Sequence, residues 1–158
     1  SGKFSSYADM DPGPSTYNLS GTNSLFISKL DSSGNFIWAK SITHVGQLSN
    51  TFIVDPSGNT YASGQCSGPI DFDPGPGQFI LTGAGTFILK LDSSGNFAWC
   101  KRLNTGGAAS ADLFSKSRDQ LGNLYFSARF WHPSLSLDTS LNLVNTDSTG
   151  ATSDIMMT

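Results

Sequence analysis

The octapeptide KLDSSGNF occurs twice in this chain, at residues 29–36 and again at residues 90–97. Identity over eight positions at an offset of 61 residues restricts the fold to architectures built by repetition. Other landmarks recur in the same order. ADMDPGP at residues 8–14 is matched by IDFDPGP at residues 70–76, an offset of 62. VDPSGNTYASG, residues 54–64, has a weaker echo in SRDQLGNLYFSA, residues 117–128, which sets Tyr61 against Tyr125 at an offset of 64.

Within one period the pattern is that of strands. Phe87, Leu89 and Leu91 alternate with Ile88 and Lys90, and Phe97 and Trp99 share a face of the next segment. Alternation of this kind in aromatic and branched residues reads as half-buried β-strand. Between them, DSSG at residues 92–95 is turn chemistry: the Asp carboxylate can accept backbone N–H groups two residues on, and Gly and Asn tolerate positive φ. A second hairpin follows, residues 51–54 and 60–63 around DPSGN, with a later copy at 113–115 and 124–127 around DQLGN. Apolar spacing of the helical kind never extends beyond a turn or two. Each period therefore predicts four short antiparallel strands and a linker carrying DPGP, which is the blade of a β-propeller. The expected fold is all-β, with propeller-type four-stranded blades in about two and a half units. These units are residues 1–66, residues 67–130 and a partial third at residues 131–158, unclosed within the chain.

The segments KLDSSGNFIW at residues 29–38 and KLDSSGNFAW at residues 90–99 resemble the bacterial SBBP repeat family, and DPSGNTYASG at residues 55–64 looks like that family's second hairpin. The resemblance implies seven-bladed β-propellers on secreted or cell-surface proteins. It covers most of the chain, and its motifs are turns, which specify fold and say little of activity. The third unit departs from the pattern, since residues 129–138 lack the DPGP element.

Composition removes several function classes. Only 13% of the residues are charged and the net charge is −3, with Lys and Arg thinly scattered, so the clustered basic footprint of a nucleic-acid binder is absent. No apolar run reaches the roughly 20 residues that cross a bilayer as a helix. The chain opens at Ser1 rather than Met, which suggests a mature or excised segment, so the lack of a signal peptide carries no weight. Cys66 and Cys100 form no C-x-x-C pair and are too few for a zinc site. They read as a disulfide in an oxidising compartment or as two small buried side chains.

Candidate site residues are few. Asp9 with Asp11 and Asp71 with Asp73 place two carboxylates at i and i+2 beside a Pro-Gly turn, where they could converge on Ca²⁺. The competing reading is that Asp-Pro-Gly simply ends a strand and starts a turn. Trp131, which breaks the repeat beside Pro133, is the aromatic that a sugar-binding reading requires, against a role in packing under its loop. Trp38 and Trp99 recur with the fold and read as core between neighbouring blades. His44 and His132 occupy non-equivalent positions, with no metal or triad spacing. Asn18-Leu-Ser20 fits the N-glycosylation pattern. No nucleophile elbow, HExxH or phosphate loop is present, so no enzyme is expected.

Closing a propeller takes about four to eight blades, more than this chain carries. The segment is then a window on a longer protein, or its copies complete one ring, or they stack in an open array. Unpaired strand edges, expected at Phe26, Ile27 and Ser28 and at Asp154, Ile155 and Met156, would pair with another chain. The sequence thus points to a non-catalytic, secreted or cell-surface structural or adhesive repeat protein that self-assembles with copies of itself or with further repeats. The alternative is a carbohydrate-binding propeller module that uses loop aromatics, with calcium assisting and glycans as partners.

Overall fold

A computed structural model describes residues 1–46, 48–104, 112–119, 123–129, 134–137, 141–144 and 154–157. Among these residues every regular element is a strand, every pairing is antiparallel, and no sheet closes on itself. The first sheet is β1 (Gly2–Asp9), β2 (Asn18–Leu30) and β3 (Phe36–Ile42), in that order. The second is built on four consecutive neighbours: β4 (Leu48–Val54), β5 (Thr60–Cys66), β8 (Gly85–Leu91) and β9 (Phe97–Asn104). The third holds β10 (Asp112–Arg118), β11 (Leu124–Arg129) and β14 (Asp154–Met157).

These are propeller-type blades, and their strands recur with the repeat. β5 and β8 repeat the Gly2–Phe4 end of β1 and the Ser24–Leu30 end of β2 one period on, and β9 repeats β3. β10 and β11 likewise repeat β4 and β5, and β4 lies alongside β10 in the neighbouring blade. The complete blade runs from Leu48 to Asn104, so the sheet is staggered against the sequence period and draws strands from two consecutive units. Between β5 and β8, the short β6 (Ile70–Asp71) and β7 (Ile80–Leu81) pair with each other and carry the DPGP tip. In the third unit, which lacks DPGP, the corresponding place is taken by a hairpin of β12 (Ser134–Leu137) and β13 (Leu141–Val144). β12 folds back onto β9, with Ser136 opposite Asn104 and Leu137 opposite Leu103, and widens the second sheet to six strands.

The core lies between the first and second blades. Leu25, Ile27, Trp38 and Ile42 from the first sheet meet Phe87, Leu89 and Leu91 of β8, with Phe72 and Cys100 in the same cluster. Alternation explains the division. Odd-numbered positions of β2 face the second blade, whereas in β8 the odd-numbered positions face the first and Thr86, Ile88 and Lys90 point the other way.

Candidate functional site

The hairpin turns are one structure made four times. In the first, the Asp31 Oδ1 accepts the N–H groups of Ser33 and Asn35, each at 2.8 Å, and its Oδ2 accepts the Asn35 side-chain amide at 2.9 Å. Asp92 holds Ser94 and Asn96 in the same way. Asp55 and Asp119 clamp Asn59 and Asn123, and here a tyrosine hydroxyl also donates to the carboxylate, from Tyr61 at 3.3 Å and from Tyr125 at 3.0 Å. The Gly before Asn35, Asn59 and Asn96 takes φ of +85° at Gly34, +83° at Gly58 and +81° at Gly95, a conformation that suits a residue without Cβ. The motif D-x-x-G-N is thus a side-chain clamp on a three-residue hairpin loop.

These donors have an electrostatic consequence. The Asn35 side chain and backbone hold the Asp31 carboxyl below the usual carboxylate range. The Asn96 N–H does the same for Asp92, and the Tyr17 and Asp11 N–H groups do so for Asp9. A carboxyl whose pKa is depressed by folding contributes stability above its unfolded value of about 3.9, and that contribution is lost as pH falls through the folded value. The melting temperature is therefore expected to be flat from pH 7 to about 5 and to drop below about pH 4. Asp31→Asn should shallow the acid limb in a pH series of thermal melts. An acid limb identical to wild type would remove the clamp's charge from the explanation.

The second turn is held by the first blade. The Trp38 indole N–H donates to the Ser93 carbonyl at 3.2 Å, and the Lys29 ammonium donates to the same oxygen at 3.0 Å. A Cβ placed on Gly95 would stand 3.0 Å from Cδ2 and Cε3 of Trp38. The Lys and Trp of one KLDSSGNFxW copy therefore grip the turn of the next copy, which accounts for their presence in the repeated segment. Trp38 is accordingly a between-blade core residue. The equivalent groups one period on behave differently. Lys90 lies over the Tyr61 ring at 5.3 Å, the Tyr61 and Trp99 rings are 6.1 Å apart, and Trp99 is only half-buried.

The DPGP loops are also built alike. Asp9 Oδ1 accepts the N–H of Asp11 at 3.1 Å and of Tyr17 at 2.9 Å, and Asp11 Oδ1 accepts that of Gly13 at 2.8 Å. Asp71 and Asp73 repeat this with Asp73, Phe79 and Gly75 at 3.0, 2.9 and 2.7 Å. Each loop is pinned to its blade by an aromatic pair, Tyr17 on Phe36 and Phe79 on Phe97, both with centroids 4.8 Å apart. In the first blade, residues 11–14 and 34–36 border an open cleft of about 360 Å³. One oxygen of every carboxylate is thus committed to backbone amides, and among the described residues no group of three or more His, Cys, Asp or Glu side chains converges. This geometry accounts for the turn role of both Asp-x-Asp pairs.

The other expected positions are scattered. β2 is the middle strand of its sheet, so Phe26 is paired on both sides, with Gly2 and with Ser41. Ile27 and Ser28 pair with Lys40 and Ala39 of β3. Asp154, Ile155 and Met156 lie in β14, an outer strand of its sheet that pairs with β11 through Arg129, Ala128 and Ser127. Asn18 is exposed and opens β2, opposite Asp9. Trp131 and His132 lie outside the described residues. His44, exposed at φ +61°, donates its backbone N–H to Thr22. Cys66 and Cys100 are free thiols in the core. Burial raises the pKa of both, and the neighbouring Cys66 adds to the effect on Cys100.

No family model matches the chain. No solved structure matches it. An uncharacterized WD repeat-containing protein of Acanthamoeba polyphaga mimivirus is 33% identical across 61% of this chain. The match takes in 8% of that protein, so the chain spans a small fraction of the relative's length. That likeness and the antiparallel blades both describe a β-propeller-type repeat protein. Among the described residues no helix is long and apolar enough to cross a membrane.

Proposed function

We propose that this chain is a non-catalytic structural or adhesive repeat module of a secreted or cell-surface protein. It is of the SBBP type that its motifs resemble, and it joins further blades of the same kind into a ring or filament. One observation carries the reading. Leu91 is 0% exposed where the first blade covers it, whereas Leu30, its equivalent 61 residues earlier, is 44% exposed, and Ile37 beside it is 48% exposed. A face that is core in one blade is bare in the other, and bare apolar faces of this kind mark interaction surfaces. The outer strand β14 adds a backbone edge of the sort that takes a further strand. Carbohydrate binding, the alternative, rests on Trp131, which lies outside the described residues.

Sedimentation velocity over a hundredfold concentration range tests the proposal. Self-association predicts a weight-average mass that climbs above the 16.7 kDa of one chain as concentration rises. A single species of 16.7 kDa at every concentration would overturn it.

A further inference from the structure

The grip of Lys29 and Trp38 on the Ser93 carbonyl is made once among the described residues, yet the residues that make it occur twice. Lys90 and Trp99 stand opposite each other across β8 and β9, as Lys29 and Trp38 do across β2 and β3. Both are half-buried and turned toward the third blade, and Tyr61 completes the wall beside them. Among the described residues the Trp99 indole N–H has no hydrogen-bond partner. Its counterpart Trp38 is at the burial of a core residue because a turn sits on it.

We infer that Lys90, Trp99 and Tyr61 form a receptor for a turn of the Asp-Ser-Ser-Gly-Asn type from a further repeat. Its second carbonyl would be taken by the Lys90 ammonium and the Trp99 indole N–H. The occupant is set by the interface already present in the molecule. A turn that fits must carry Gly at the position of Gly95, because any Cβ there strikes the Trp ring, and must offer an outward carbonyl at the position of Ser93. The segment leaving such a turn is a strand, as β9 follows the second turn, and the outer side of β14 lies where that strand would pair. Two independent attachments, a charge-assisted carbonyl and a backbone edge, thus select one ligand: a turn followed by a strand. This rests on the reading of the chain as an assembling repeat module and names the surface and the partner segment.

The chain contains a suitable probe, residues 31–42, whose turn is exposed and whose Gly34 has nothing within 4 Å of a Cβ. A dye-labelled peptide of that sequence, titrated into the intact 158-residue protein, should show a saturable rise in anisotropy. Trp99→Ala and Lys90→Met should each raise Kd by about tenfold or more, as should Ala for Gly in the peptide. Trp99→Phe, which keeps the ring and removes only the N–H, guards against misfolding and should weaken binding by a smaller factor. Absence of saturation, or one isotherm shared by wild type and the Trp99 and Lys90 variants, would overturn the receptor. Sedimentation of the protein alone separates the two readings. Peptide capture by a strictly monomeric protein would keep the receptor and sink assembly. Self-association without peptide capture would keep assembly and sink the receptor.

Discussion

Phe87→Ala is expected to lower the unfolding free energy by about 3–5 kcal/mol, the range for truncating a fully buried Phe. The side chain is 0% exposed, and its ring lies 4.7 Å from that of Phe72, itself fully buried. It sits on the face of β8 that meets Leu25 and Ile27 of the first blade, so the cavity would open between blades, where rigid sheets on both sides limit collapse. Against a total stability of about 5–15 kcal/mol this is a large fraction, and the melting temperature should fall by on the order of 10 °C. Phe26 is the same residue one period earlier and is only half-buried. Phe26→Ala should cost clearly less in the same urea titrations. Equal losses at the two positions would mean that the blades do not stack as described.

Turn chemistry and strand alternation were legible because both are local. The Asp clamp, the positive-φ Gly and the inward Phe87, Leu89 and Leu91 follow from residues within a few positions of one another. Trp38 even marked the between-blade layer, whereas Trp99, read in the same way, is only half-buried. The grip on Ser93 was not legible, since it joins residues 55 and 64 positions apart and needs to be told which blade face meets which. The aromatic pairs under the DPGP loops left a signal that could have been used: Tyr17 and Phe79 are both aromatic at an offset of 62, like the loops they anchor. Phe26 to Ser28 was expected at an edge because counting repeats gives no strand order. The pairing of Gly2 with Phe26 places β2 inside its sheet. The hairpin β12–β13 follows a segment with no match to the earlier units, so periodicity had nothing to say about where it would pair. The two Asp-x-Asp pairs could not be assigned from spacing alone, because a turn and a cation site use the same residues. The backbone N–H groups that face their oxygens and make the turn come from residues eight positions on and are visible only in the fold.

The stacking of repeat on repeat is tested most directly by the same substitution at two equivalent glycines. Gly34→Ala and Gly95→Ala both force a Cβ onto a residue at positive φ, +85° and +81°, at a shared cost of about 1–2 kcal/mol. At Gly34 nothing lies within 4 Å of the new methyl group. At Gly95 it meets Trp38 at 3.0 Å and the Lys40 Cγ at 3.2 Å, and Trp38 is tied down by its bond to Ser93. Overpacking of a fixed ring adds about 1–3 kcal/mol. The measurement is the difference in unfolding free energy between the two variants by urea titration. Blades locked through the repeated motif predict that Gly95→Ala is the less stable by at least about 1 kcal/mol. Two variants of equal stability would contradict the lock, and with it the receptor inferred by equivalence to it.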